Sequence, residues 1–540
     1  MKTQLQKFSK SLRMLLPVGL ALTCVMPAFA QAGGGAPPQL SQVERKNKAP
    51  ISSQVLQVKI PKPTEVKLDN GLTVLILEDH RFPLANVQFY VNGAGGLYTP
   101  EAWPGLAGLT AQMLREGTKT RPSKQLAEEI DALGASINAS AGFDQSGAIV
   151  NASGLSENFD KWFALTVDVL LHPAFSAEEF NSMKQRQKTG LIQNRTNPTF
   201  LAAERFNRAV YGNFPAAVIS TNAETLDKLT PEDLARWHDE RYVPQNSILA
   251  ISGDVSAATL VPKLKQWLAG WQKTDNEIKR LTGAMPVPNK NIFLVDRPGS
   301  VQTTLWLGNV GFDRRSPDYI PYTVLNGVFG GSGAARLFMN LRENKGYTYG
   351  VYSNSTGGQY PGYWRAYGDF RSDVTGGAMT ELLVEINRIR DEKVPSTELE
   401  DAKRAIVAGF ALSLESPQAI ISYAITIKLF GFPGDYWDTY PAKVMAVTAD
   451  DVQRVAKKYI DPNTMQVVAV GDASKIKPML EKFGTVEMYA TDGKPVTPKT
   501  ATPGMQVMTK LPACKVTEAR RTSTTSAMGE DCWFTVGGNF

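Results

Sequence analysis

The strongest constraint on this chain is a pattern that occurs twice. Thr230-Pro-Glu-Asp-Leu234 opens a helix-like stretch, and Pro244-Gln-Asn-Ser-Ile-Leu-Ala-Ile-Ser-Gly-Asp254 follows it. Thr448-Ala-Asp-Asp-Val452 and Asp461-Pro-Asn-Thr-Met-Gln-Val-Val-Ala-Val-Gly-Asp472 repeat that order. Thr448 follows Thr230 by 218 residues, and Gly471 follows Gly253 by the same 218. Thr before acidic residues is a helix start, since its hydroxyl caps free N–H groups and the acids complement the helix dipole. The short apolar run ending in Gly-Asp reads as a buried strand. Two such anchors at one spacing imply an internal duplication, and the expected fold class is α+β, built of two homologous α/β sandwich domains. The expected boundaries are a leader over 1–30, a flexible lead-in over 31–55 and a first domain over 56–270. A connector rich in Lys, Asn and Pro over 271–288, a second domain over 289–486 and a Thr/Lys/Pro-rich tail over 487–540 complete the chain.

The first domain opens on a hairpin from Val66 to Leu77, with Asn70-Gly71 as a favoured two-residue turn. A strand at Asn86–Val91 and helices near Ser123–Leu133, Glu157–Leu171, Phe180–Asn194 and Leu201–Val210 follow from the apolar spacing. Strands at Asn291–Asp296 and Gln302–Gly308 and a helix at Asp318–Phe329 open the second domain.

Lys2, Lys7, Lys10 and Arg13 precede the apolar run Met14–Met26, and Ala28-Phe-Ala30 follows it. That is the charge, apolar and small-residue order of a secretory signal, so the exported chain is expected to start near Gln31 in a periplasm or outside the cell. Cys24 stands in a poor lipidation context. Removal of the four leader cations lowers the formal net charge from +6 to +2. Such a balance gives no reason to expect nucleic acid or an anionic membrane as partner. No second apolar run of spanning length follows the leader. Cys514 and Cys532 are the two cysteines left, and an oxidising compartment would bridge them.

The stretch Pro104-Gly-Leu-Ala-Gly-Leu-Thr-Ala-Gln-Met-Leu-Arg-Glu-Gly-Thr118 reads as a helix, with Pro in its first turn and Gly117 as its stop. It resembles the signature helix of the pitrilysin/insulinase family of zinc peptidases, which carry H-x-x-E-H on such a helix. Gly105, Ala107, Met113, Leu114, Gly117 and Thr118 match that pattern. The positions where the family has His, Glu and His are Gly108, Ala111 and Gln112, none a competent zinc ligand or general base. The resemblance puts the third ligand, a Glu, near Gly190 on the helix running into Thr196-Asn-Pro198, where no acidic residue stands between Glu179 and Glu204. Gln112 is then an amide facing a small cleft. The chain's three histidines, His80, His172 and His238, lie at a strand end, a helix–proline junction and an exposed-looking helix, and do not suggest a rebuilt site.

The resemblance, which covers Val66–Phe483, also implies a clamshell of two halves and an Arg/Tyr pair in the second half. Arg342 and Tyr349, seven residues apart, occupy those positions: Arg342 would fix a peptide backbone and Tyr349 would donate to the developing oxyanion. Gly330-Gly-Ser-Gly333 lacks the Lys-Ser/Thr of a phosphate loop and is not read as a nucleotide site. The expectation is a zinc-less, non-catalytic subunit that holds no cofactor itself. It would bind extended peptides and serve a zinc-bearing sister chain in trans. The rival expectation is a peptide-binding or scaffold protein with no part in hydrolysis.

Overall fold

The computed structural model describes residues 56–275, 277–281 and 289–496. The expected leader, lead-in and Cys514–Cys532 bridge, and the tail beyond residue 496, lie outside the described residues. Twelve described strands form two six-stranded sheets. The first holds β1 (Thr64–Lys67), β2 (Thr73–Glu78), β3 (Leu84–Asn92), β4 (Ser136–Ser140), β5 (Gly147–Leu155) and β6 (Ser247–Gly253). The second holds β7 (Asn291–Asp296), β8 (Gln302–Val310), β9 (Thr348–Ser355), β10 (Tyr363–Arg371), β11 (Gln466–Gly471) and β12 (Val486–Tyr489). Their orders are β1-β2-β6-β3-β5-β4 and β12-β7-β11-β8-β10-β9.

The duplication is visible in the register. Parallel β2/β6 aligns Ile76 with Ile251, and parallel β7/β11 aligns Leu294 with Ala469. Thr230 and Thr448 each close a capping box, with Asp233 and Asp451 reaching back to the Thr backbone N–H at 3.0 and 3.1 Å. The copies differ at one edge. β1 runs antiparallel to β2, whereas β12 takes the matching place by pairing parallel to β7. Val486–Tyr489 is therefore part of the second sheet and not the start of the tail. Trp271 is likewise no linker residue: it is buried on Phe89 at 6.2 Å, and its indole N–H donates to the Tyr242 carbonyl at 2.8 Å. The Asn70-Gly71 hairpin forms with a longer turn. Leu68 N–H donates to the Leu72 carbonyl at 2.9 Å around Asp69-Asn70-Gly71, with Gly71 left-handed at φ 88°.

The two halves exchange helices. Helix Pro198–Tyr211 belongs to the first half by sequence, yet Leu201, Ala202, Phe206 and Val210 pack with Phe293, Val295, Trp306, Val468 and Val470 of the second sheet. Helix Pro417–Phe430, 219 residues on, sends Ile420, Ile421 and Ile425 into one cluster with Leu75, Leu77 and Ala250 of the first sheet. Asn197 and Ser416 cap these two helices at equivalent places. β6 and β11 are thereby covered on both faces, which explains why Ile-Leu-Ala-Ile and Val-Val-Ala-Val read as unbroken apolar runs. No single described helix is long and apolar enough to cross a membrane, although Ser396–Ser413 and Pro417–Phe430 pass such a test taken together with a 108° bend between them.

Candidate functional site

The signature helix spans Leu106–Met113, so Pro104 precedes the helix and does not occupy its first turn. Gly105 caps it at φ 96°, and a Cβ there would lie 2.9 Å from Thr221 Cβ; both facts require glycine. Leu106, Ala107, Leu109, Thr110, Ala111 and Met113 are buried. Gly108 and Gln112, four residues apart, share the open side, as the helical period demands. A Cβ on Gly108 would meet only the Ala141 carbonyl, at 3.1 Å.

Helix Ala177–Asn194 lies across this face. Its Gln187 Nε2 donates to Gln112 Oε1 at 2.9 Å, and its Arg186 pairs with Glu116 at 3.0 Å. The residue opposite Gln112 is thus Gln187, not Gly190, which lies one turn further along with nothing within 4 Å of its Cβ position. Sequence reasoning missed Gln187 because no motif marks the phase of a helix packed from 75 residues away. A zinc ion does not fit these residues. Positions 108, 111, 112, 187 and 190 offer two glycines, an alanine and two amides joined by one hydrogen bond. Among the described residues no group of three or more His, Cys, Asp or Glu side chains is placed to hold a metal.

The histidines stand apart. His80 is exposed and bonds Asp254 at 2.7 Å, and His172 pairs with Asp168 at 3.3 Å. His238 is buried, contrary to its exposed-looking sequence setting, with Nε2 2.8 Å from the Leu170 carbonyl and the ring stacked on Tyr242 at 4.7 Å. Burial pushes its pKa down, despite the opposing Leu170 hydrogen bond.

Arg342 and Tyr349 sit at one end of the second sheet. The short helix Arg336–Phe338 continues as a widened π-helical turn, Met339–Asn344, a feature frequent at functional sites. Asn340 donates to Glu381 at 3.0 Å and Glu385 at 2.9 Å, and Lys345 pairs with Glu381 at 2.8 Å, pinning the turn to helix Thr375–Asp391. The hydrogen bonds from Lys345 and Asn340 hold the Glu381 carboxyl below its usual range. Arg342 is exposed, its guanidinium 4.7 Å from the Phe338 ring and 3.3 Å from Glu343.

Tyr349 is the second residue of edge strand β9. Gly368 faces Val351 and Phe370 faces Thr348, so Tyr349 and Gly350 together oppose the single residue Asp369. This bulge is held by the Thr348 hydroxyl, which donates to the Asp369 carbonyl at 2.5 Å and accepts from Gly350 N–H at 3.1 Å. A bulge re-aims a side chain. Here it leaves Tyr349 89% exposed, its hydroxyl without a partner among the described residues. No hydrogen bond, ion pair or ring contact joins Arg342 or Tyr349 to the signature helix. The two candidate half-sites of one chain do not meet.

The two halves are matched among known proteins. Residues 73–219 fit the family model for insulinase (peptidase family M16), and residues 228–406 fit that of the peptidase M16 inactive domain. An "Uncharacterized zinc protease" of Rickettsia felis is 29% identical over 415 residues, covering 74% of this chain and 96% of that protein. The "Non-peptidase homolog YmxG" of Helicobacter pylori is 19% identical over 420 residues, covering 75% and 93%. The solved structure of a peptidase M16 inactive domain from Pseudomonas fluorescens superposes with a TM-score of 0.71 at 26% identity, over 76% of this chain and 97% of that one. With both halves matched and the signature helix stripped of its ligating residues, the chain belongs to the insulinase family, peptidase family M16, as a peptidase-like member without the zinc motif.

Proposed function

We propose that this chain is the zinc-less subunit of an exported two-chain metallopeptidase, holding an extended peptide and lending Arg342 and Tyr349 to a zinc-bearing sister chain. The observation that carries this reading is Tyr349. A tyrosine on a bulged edge strand, 89% exposed and with an unpartnered hydroxyl, contributes little to its own fold. It is placed to donate outside the chain. In the assembled pair its O–H donates to the oxyanion that develops on the scissile carbonyl, and Arg342 holds a neighbouring peptide carbonyl. The π-helical turn and the bulge fix the backbone that carries both donors, and an oxyanion donor held in place by the assembled pair is worth about 2.7–4 kcal/mol. The zinc ligands belong to the sister alone, and the leader over residues 1–30 sends this chain to the same compartment.

The test mixes purified chain with a family member carrying an intact His-x-x-Glu-His, and assays an unstructured peptide. Activity well above that of the sister alone, lost with Tyr349→Phe while gel filtration still shows the pair, supports the proposal. A pair that assembles and hydrolyses equally with and without the tyrosine hydroxyl returns the scaffold reading.

A further inference from the structure

The duplication supplies an internal comparison for one row of side chains. In the first sheet, Ala250, Gln88, Asn151 and Asn138 stand in register across β6, β3, β5 and β4. The equivalent row across β11, β8, β10 and β9 is Val468, Trp306, Tyr367 and Tyr352. In the first half these positions are amides, Asn151 and Asn138 exposed and Gln88 half-buried and donating to Asn151 at 3.1 Å, as befits a solvated sheet face. The second half puts aromatic rings in the same places.

Trp306 is buried under that half's covering helix, whereas the two tyrosines are not covered. Helix Pro198–Tyr211 packs across β7, β11 and β8 and reaches β10 at Tyr363, where Phe206 lies 5.3 Å away. Beyond it Tyr352 and Tyr367 are half-buried, their rings 6.3 Å apart, with Trp306 6.2 Å from Tyr367 and Phe338 5.7 Å from Tyr352. Arg365 lies on this surface, its guanidinium 3.8 Å from the Trp306 ring and 4.6 Å from Tyr367. Among the described residues its one hydrogen bond runs from Nε to the neutral Asn354 Oδ1 at 2.9 Å, and no carboxylate pairs with it. The Asp369 carboxylate on the same strand accepts from the Thr304 hydroxyl at 2.5 Å. A guanidinium desolvated among rings and lacking an anion is a costly arrangement that a bound carboxylate would relieve.

We infer that Tyr367, Tyr352 and Arg365, backed by the buried Trp306, form a docking surface for an extended peptide that presents an aromatic side chain beside an aspartate or glutamate. The rings stack on the aromatic residue, and Arg365, planar and preorganised, takes the side-chain carboxylate through two N–H donors. The surface deepens the peptide-holding role proposed above, and is read on the single chain without the sister.

Fluorescence anisotropy of the full chain with an acetylated, amidated, unstructured peptide carrying Phe-Glu tests it, beside the same peptide with Gln for Glu. Blocked termini leave the side-chain carboxylate as the variable. The Glu peptide is expected to bind about tenfold tighter than the Gln peptide, the value of one charge-assisted pair. Arg365→Gln abolishes that preference, Tyr367→Ser weakens both peptides, and Asn151→Ala in the first-half row changes neither. Equal binding of the two peptides to the wild-type chain overturns the inference without any variant having to fold. A preference that survives Arg365→Gln overturns it equally. Either result leaves the trans-acting role of Tyr349 to its own assay.

Discussion

Gln112 Oε1 accepts a hydrogen bond from Gln187 Nε2 at 2.9 Å, joining the signature helix to the helix that crosses it. A neutral amide, Gln112, stands where the resemblance puts a histidine ligand, and a second amide faces it. This face stays open but offers a metal no competent ligand, and the chain's chemistry has to be sought in its second half.

Chelator-free protein is expected to carry no stoichiometric zinc. Metal analysis finding about one tightly held zinc per chain would contradict the assignment. Gln112→Ala removes one neutral, exposed hydrogen bond and should cost under about 1 kcal/mol in urea unfolding.

Phe206→Ala is expected to destabilise the whole body. The ring is fully buried between Trp306 at 5.8 Å and Tyr363 at 5.3 Å, on a helix supplied by the other half. The loss should be about 3–5 kcal/mol, as for other buried Phe truncations. Denaturant unfolding followed by probes in both halves should shift together, because the helix connects them. A shift in one half alone would count against the exchange of helices as the link.

Asp318 should make stability fall in acid. Burial alone would raise its pKa. The hydrogen bonds from Lys458 at 2.7 Å, Arg454 at 2.6 Å and Tyr459 at 2.7 Å outweigh that and bring it to about 2, against an ordinary 3.8. A depressed carboxyl pKa contributes stability that is present above the ordinary value and lost as pH falls through the folded one. The contribution is on the order of 2 kcal/mol at neutral pH and disappears between about pH 4 and 2. Asp318→Asn should lose that increment at pH 7 and flatten the acid limb, read from thermal melts across the window.

In the assembled pair, Tyr349→Phe is expected to lower kcat by about 10²–10³ with association unchanged, since it removes one oxyanion donor. Arg342→Ala should act mainly on KM. Neither ring nor guanidinium supports the core, so the melting temperature of the isolated chain should not move. A large drop in stability for Tyr349→Phe would mean that the residue is structural.

Much of this molecule was legible in its residues. The repeat of Thr230 and Gly253 at Thr448 and Gly471 is a covalent fact, and two units that share the order of five of their six strands follow from it. The capping boxes are local chemistry, satisfied within four residues of each Thr. The loss of His, Glu and His at 108, 111 and 112 needs no fold to be read. What tertiary structure decided is which surfaces meet. Helix Pro198–Tyr211 pairs with the sheet of the other half because its apolar face fits there, and amphipathicity names a buried face without naming its cover. His238 is buried, and Gln187 replaces Gly190 opposite Gln112, because the rotation of one helix on another is set by packing and loop length. Val486–Tyr489 is a strand because β7 offers an open edge, and Tyr349 points outward because Asp369 faces two residues instead of one. Periodicity belongs to a segment and can be counted along it; register, bulge and helix phase belong to pairs of segments and form only when both are in place.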